Sequence, residues 1–193
     1  MTQEVKEGKC IIFSAPSGAG KTTIVRALLA EIDCLSFSIS ACSRAPRGKE
    51  KDGVDYHFIS VEEFQAKILQ NEFVEWEEVY SNNYYGTLKS ELAHIWNLGK
   101  TVVFDVDVIG GLHLKEIFKT NALAIFIKPP NQEVLEDRLR KRNTESEGNL
   151  QIRIKKATEE VLRAEEFDCV IENDQLELAI AAAREQVLKF LSR

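Results

Sequence analysis

Long apolar runs are missing from this 193-residue chain. No stretch approaches the roughly 18 apolar residues that a bilayer-crossing helix needs, which excludes a helical membrane span. Cysteine is scarce and scattered: Cys10, Cys34, Cys42 and Cys169, with no CxxC pair. That usage excludes a disulfide scaffold and reads as reduced, mostly buried thiols in a cytoplasmic protein. Histidine is rarer still. His57, His94 and His113 stand far apart, and no His/Cys cluster has zinc spacing. Positive charge is in deficit, with 25 Lys plus Arg against 31 Asp plus Glu and a net charge of −6. An acidic balance argues against a protein that coats nucleic acid or an anionic membrane, and leaves room for a local basic pocket. The stretch Met1 to Glu7 is polar and lacks the apolar core of a signal peptide. No internal repeat and no low-complexity segment is present.

What is there is a globular composition, 44 % hydrophobic and 29 % charged, in a chain long enough for one well-buried core. Cys10-Ile11-Ile12-Phe13 is a short apolar run of the kind that forms a buried parallel strand. It stops at a Gly-rich stretch, after which Ile24, Val25, Leu28, Leu29 and Ile32 fall at helical spacing. Further strand-like runs lie at Thr101–Phe104, Leu123–Ile127 and Cys169–Ile171. Helical patterns cover Val108 to Ile117, Glu133 to Arg142, Leu150 to Glu166 and Leu176 to Leu191. The alternation predicts βαβ units around a mostly parallel sheet. From about Ser40 to Leu98 the alternation breaks, and aromatics and turn residues become denser. Asp52-Gly53 signals a turn, Ser60-Val61-Glu62-Glu63 has capping-box spacing, and Asn82-Asn83 suits a hairpin turn. This stretch reads as an inserted α+β subdomain, and a smaller helical insertion is expected near Arg138 to Arg153.

Ala15-Pro16-Ser17-Gly18-Ala19-Gly20-Lys21-Thr22 fits the P-loop pattern, with Ala where the first Gly is usual. Gly18 and Gly20 would let backbone N–H groups converge on phosphate oxygens, and the following helix adds its positive end. Lys21 would reach the β- and γ-phosphates, and Thr22 would offer a hydroxyl to Mg²⁺. The strand before and the helix after are the context such a loop requires. Arg44 and Arg47 flank Pro46 in a stiff loop that carries four basic residues and one acidic between Arg44 and Lys51. Two guanidinium forks at that spacing suit a phosphate monoester, although a solvated basic loop reads the same from composition. Arg138, Arg140, Lys141, Arg142, Arg153, Lys155 and Lys156 face only Glu145 and Glu147. Arginines that close over a transferring phosphoryl group stabilise its charge, while a helix face paired to Glu133 and Glu136 is the plainer alternative. Glu75 alternates with Val74 and Trp76 on a strand pattern and could point into a cleft, although a lone Glu on a strand usually faces solvent; Trp76 itself reads as core, with a base-stacking platform as the alternative. Asp105 ends an apolar strand at the ligand-binding edge of the sheet, placed like a Walker-B acid that acts on Mg²⁺ directly or through water. Asp107 suits a helix N-cap.

Taken together these residues resemble the guanylate kinases, a family of P-loop nucleoside monophosphate kinases. The likeness runs from Gly8 to about Leu191. It rests on the P-loop, the Ser40-to-Arg47 run, Asp52-Gly53-Val54-Asp55-Tyr56-His57-Phe58, Asn71-Glu72-Phe73-Val74-Glu75-Trp76, Tyr84-Tyr85-Gly86-Thr87, Asp105-Val106-Asp107, Arg142-Asn143-Thr144-Glu145 and Ile171-Glu172-Asn173-Asp174. The resemblance implies an α/β P-loop fold: a mostly parallel five-stranded sheet flanked by helices. It implies one domain over 1–193, with a core at 8–39, 99–137 and 157–193, a GMP-binding insertion at 40–98 and a lid at 138–156. It implies reversible MgATP-dependent phosphoryl transfer to GMP and dGMP, giving ADP and the diphosphate, in purine nucleotide metabolism. The ATP side would comprise Ala15, Pro16, Ser17, Gly18, Ala19, Gly20, Lys21, Thr22, Thr23 and Asn173. The GMP side would comprise Ser40, Arg44, Arg47, Tyr56, Glu75, Tyr85, Thr87 and Asp107. Lys21, Arg44, Arg138, Arg142 and Arg153 would stabilise the transition state, and Thr22 and Asp105 would serve Mg²⁺. Within that set Glu75 would accept from both N1–H and the N2 amine of guanine, a pair adenine does not present. Counting from Glu75 points to Tyr84 as the phosphate-binding tyrosine, and the Tyr-Gly pair points to Tyr85, which is the residue chosen here. Cys42-Ser43 stands where many members have Thr-Thr, and Asn143 where a Gly is common. The expected setting is a cytoplasmic monomer or homodimer acting on the small molecules ATP and GMP, with no nucleic-acid or membrane partner. Two other readings remain at this point: a guanylate-kinase-like phosphopeptide-binding module, and a P-loop kinase for a different acceptor.

Overall fold

Parallel strands buried on both faces need near-continuous apolar sequence, and β1 (Cys10–Ser14) supplies it: all five of its residues are buried. The computed structural model describes residues 8–141 and 147–193. Elements follow in the order α1 (Lys21–Glu31), β2 (Leu35–Phe37), β3 (Ala41–Cys42), β4 (His57–Phe58), α2 (Val61–Leu69), β5 (Phe73–Tyr80), β6 (Asn83–Leu88) and α3 (Lys89–Asn97). Then come β7 (Thr101–Val106), α4 (Val108–Phe118), β8 (Ala122–Lys128), α5 (Gln132–Lys141), α6 (Glu147–Val161), β9 (Cys169–Glu172) and α7 (Leu176–Leu191). The main sheet is five-stranded and parallel, in the order β2-β7-β1-β8-β9. Its register pairs Cys10 with Ala122 and Ile125 with Cys169. Strand order reverses away from β1, the arrangement in which open α/β sheets bind ligands at the carboxyl ends of their strands.

The chain forms two compact units. One comprises Lys9–Leu35 and Val103–Arg193. Its core is built from the buried side chains of Ile11, Phe13, Ile24, Leu28, Phe104, Ile125 and Phe126. A satellite cluster of Leu135, Leu139, Ile154 and Ala157 packs α5 against α6. The other unit is Ser36–Val102 with Gly8. It carries a four-stranded sheet, β4-β3-β6-β5, in which β3 runs parallel to β4 and antiparallel to β6. Its small core stacks Phe64 on Phe73 at 4.2 Å and on Tyr84 at 5.3 Å between ring centroids.

Several local expectations shift. The β5–β6 hairpin turns at Ser81-Asn82, one residue earlier than Asn82-Asn83; Asn82 takes the positive φ of 61° and Asn83 already belongs to β6. The helical pattern read from Leu150 to Glu166 is α6, ending at Val161, followed by a short 3₁₀ turn at Ala164–Glu166. Trp76 is 45 % exposed and not core, although the β5–β6 register pairs it with Gly86 and its ring lies 6.2 Å from that of the buried Tyr84. Cys10 and Cys42 are buried, Cys169 is half-buried and Cys34 is exposed, all four as free thiols. No helix among the described residues is long and apolar enough to cross a membrane.

Candidate active site

The loop between β1 and α1 is shaped by its glycines. Gly18 has φ 91° and Gly20 φ 92°, both in the region L side chains avoid. Gly20 is also the N-cap of α1, and no side chain caps the helix, so its first turn presents backbone N–H groups and a partial positive charge to an anion. A Cβ on Gly20 would stand 2.3 Å from Asn173 Nδ2, so glycine is required for space as well as for backbone angle.

Asn173 is 3 % exposed. Its Nδ2 donates to the Ala19 carbonyl at 2.7 Å, which makes it a prop under the loop. Arg138, on α5, donates through Nη2 to the Asn173 carbonyl at 3.1 Å and through Nη1 to Ala19 O at 3.5 Å. Arg153, on α6, donates to Ser17 Oγ at 2.7 Å. Two of the three arginines of the expected clamp are thus anchored to the P-loop. Arg142 lies outside the described residues. Pro16 O closes the loop by accepting from Ala19 N at 3.1 Å, and Thr23 N bonds back to Gly20 O at 3.1 Å.

Lys21 Nζ forms a close ion pair with Asp105 Oδ1 and donates to Val106 O at 2.9 Å. Thr22 Oγ1 donates to Asp105 Oδ2 at 2.9 Å. Lys21 and Asp105 are largely enclosed, with 16 % and 12 % of their side chains exposed. The Thr22 hydroxyl and the Asp105 carboxylate are adjacent hard oxygen donors, which fit Mg²⁺. Among the described residues no group of three His, Cys, Asp or Glu could hold a metal by itself. An ion here would complete its shell with water and phosphate oxygens, the usual habit of Mg²⁺. Asp107 caps α4, its Oδ1 accepting from Gly110 N at 2.8 Å. Its carboxylate therefore has a structural duty of its own. Glu160, on α6, escaped the sequence reading: burial raises its carboxyl above the usual range, the Asp107 charge adds to that, and Lys156 opposes it.

The Ser36–Val102 unit holds the second constellation. Arg44 lies two residues after the end of β3. Its Nε donates to the Tyr85 hydroxyl at 2.8 Å, and its fork clasps Glu50 through Nη1 at 2.6 Å and Nη2 at 2.9 Å. Those bonds raise the Arg44 pKa further above its ordinary value and pull Glu50 down to about 2. Tyr56 meets Tyr85 edge to face at 5.9 Å, and burial first of all raises the Tyr56 phenol above its normal range. The Arg47 side chain is exposed. Tyr84 is a core residue, its ring stacked on Phe64, whereas Tyr85 carries its hydroxyl to Arg44. Glu75 and Thr87 are register partners on β5 and β6. Thr87 is fully buried and donates to Glu75 Oε1 at 2.7 Å. Ser40 precedes β3, and its carbonyl accepts from His57 N at 2.9 Å. Glu50 was the acid missed here. Its signal was present as the single negative residue inside the basic loop.

Each unit therefore carries an anion-directed set of its own. A family model described as guanylate kinase matches residues 7–189. A guanylate kinase of Bacteroides thetaiotaomicron is 50 % identical over 186 residues, covering 96 % of this chain and 91 % of that protein. One of Chlorobaculum tepidum is 43 % identical over 189 residues, covering 98 % and 96 %. The crystal structure of guanylate kinase from Anaplasma phagocytophilum superposes with a TM-score of 0.70 at 28 % identity, covering 96 % of this chain and 85 % of that one.

Proposed function

The chain belongs to the guanylate kinase family, and we propose that its two constellations divide the family's reaction between them. The reaction is ATP-dependent phosphoryl transfer to GMP, giving ADP and GDP. Residues 15–23 cradle the ATP phosphates, with Lys21 on the β- and γ-phosphates and Asn173 holding the loop in shape. Arg138, Arg153 and Arg142 stabilise the charge that spreads over the transferring group. Thr22 and Asp105 would hold Mg²⁺, Asp105 directly or through water, and the ion would supply neutralising charge for the phosphate oxygens. Arg44, Arg47, Tyr56 and Tyr85 take the GMP phosphate, and Ser40, Glu75 and Thr87 read guanine. Asp107 takes part through α4, whose first turn it fixes. The acceptor is already an anion, so positioning and electrostatics carry the step with no strong base.

The observation that carries the acceptor choice is the Glu75–Thr87 pair. A buried hydroxyl holds the carboxylate in place, and each carboxylate oxygen accepts more than one bond, so Glu75 can still meet two parallel N–H donors. Guanine offers that pair at N1 and N2, and adenine does not. The test is a coupled ADP-release assay with MgATP and either GMP or AMP. Wild type is expected to turn over GMP far faster than AMP, with that preference collapsing in Glu75→Ala. Equal turnover of both in wild type would overturn the assignment. A cytoplasmic setting with ATP, GMP and dGMP as substrates belongs to the same proposal.

A further inference from the structure

Among the described residues, every hydrogen bond of the Glu50 carboxylate goes to the two arginines assigned to the GMP phosphate. Oε2 accepts from Arg44 Nη1 at 2.6 Å and from the Arg47 backbone N–H at 2.7 Å; Oε1 accepts from Arg44 Nη2 at 2.9 Å. A two-pronged carboxylate occupies the guanidinium edge that a phosphate would also choose. Such a group either competes with the substrate or fixes the arginine for it.

The surroundings of Arg44 decide between the two. Its side chain is 8 % exposed. The rings of Tyr56, Phe58 and Tyr85 lie 5.1, 5.7 and 5.9 Å from its Cζ. Nε donates to Tyr85, and Nη1 donates also to Ala45 O at 3.0 Å. Among the described residues, four of the five guanidinium N–H groups are then engaged and one on Nη2 remains. A phosphate seated on the Glu50 edge would have to dismantle this framework. By accepting from Nε, the Tyr85 hydroxyl turns its own hydrogen away from Arg44. Among the described residues, the donors left for a phosphate are that Nη2–H, the Tyr85 O–H, the Tyr56 O–H assigned to the same phosphate, and the exposed Arg47 fork.

We propose that Glu50 is a positioning residue for the acceptor phosphate: it stays on Arg44 while GMP is bound, sets the plane of the guanidinium, and through Nε fixes the direction in which Tyr85 donates. This rests on the assignment of Arg44, Arg47 and Tyr85 to the GMP phosphate.

The test is steady-state kinetics of the full chain, with GMP and ATP varied separately, for wild type, Glu50→Gln, Glu50→Asp, Tyr85→Phe, the Glu50→Gln/Tyr85→Phe double variant and Arg47→Ala. Glu50→Gln is expected to raise KM for GMP about tenfold, with kcat moving less and KM for ATP within about twofold. Glu50→Asp keeps the charge at shorter reach and falls between the two; it also stands in should the amide variant fail to fold. Because Glu50 acts partly through Tyr85, the double variant is expected to lose less than the product of the single losses. An unchanged or lowered KM for GMP in Glu50→Gln, an equal rise in KM for ATP, or fully multiplicative losses would overturn the proposal. Arg47→Ala separates the two layers. If it raises KM for GMP while Glu50→Gln does not, only the role of Glu50 fails. If neither changes it, the phosphate assignment fails as well.

Discussion

Glu75 and Thr87 meet across β5 and β6 because antiparallel register sets them opposite each other on one face. Thr87→Val keeps the side-chain shape and removes the donor, leaving the carboxylate without that hydroxyl. KM for GMP is expected to rise about fivefold to tenfold with a smaller change in KM for ATP, read from initial rates. Gly20 is a different kind of residue, fixed by φ 92° and by the Asn173 amide 2.3 Å from where a Cβ would sit. Gly20→Ala is expected to lower stability by about 1–3 kcal/mol in urea unfolding and to abolish measurable ATP binding in calorimetry. Exposure also sorts the thiols. Burial raises the pKa of Cys10, Cys42 and Cys169, which keeps them protonated, while Cys34 lies open on the surface. A disulfide reagent is expected to label one thiol quickly in the native protein, and Cys34→Ser to remove that fast phase.

At the scale of the element, α2 shows how capping and packing act together. Ser60 Oγ accepts from Glu63 N at 3.1 Å and Phe64, one residue on, is fully buried in the small core of the second unit. Ser60→Ala is expected to cost about 1 kcal/mol and Phe64→Ala about 3–5 kcal/mol in chemical denaturation. Equal small losses would mean that α2 contributes little to this unit. The cap and the apolar spacing were both legible in the sequence, as were α7 and β1. The hairpin was legible, but not its register. Two adjacent asparagines both suit a positive φ, and only strand pairing decides which one takes it. Trp76 was misread for another reason: a strand pattern does not say how far the elements packed on the sheet cover a side chain, and Trp76 stays 45 % exposed even with its ring 6.2 Å from that of Tyr84.

For the molecule as a whole, acid stability follows from which carboxyls the fold shifts. Arg44 lowers Glu50 to about 2, local hydrogen bonds to backbone and Ser60 lower Glu62, and Arg163 lowers Glu166. A carboxyl whose pKa falls on folding stabilises the native state above its unfolded pKa, near 4.5, and loses that contribution as pH drops through the folded value. Burial shifts Glu160 the other way, so its contribution is present below the unfolded pKa and lost as pH rises through the folded one. With three carboxyls lowered and one raised among the described residues, stability is expected to fall from about pH 4.5 toward pH 2, measured as the urea midpoint. Glu50→Gln is expected to flatten that decline, and Glu160→Gln to raise stability at neutral pH. A steeper acid decline in Glu50→Gln would contradict the ion pair with Arg44.

The sequence by itself determined the P-loop, the alternation of buried strands and amphipathic helices, and the two basic stretches. These are local: glycine conformational freedom, hydrophobic period and charge are properties of neighbouring residues. It pointed to Tyr85 through the Tyr-Gly pair and left Tyr84 as the alternative. Packing separates them, sending the Tyr84 ring to Phe64 and the Tyr85 hydroxyl to Arg44. Tertiary structure alone decided that Asn173 props Ala19, that Thr87 holds Glu75, and that Glu50 sits on Arg44. Glu50 lies only six positions from Arg44. Even so, sequence distance does not say whether a flexible carboxylate in a loop turns to its neighbour or to water. Enclosure of the guanidinium by three rings decides it, because a charge withdrawn from solvent must find its partner within the protein.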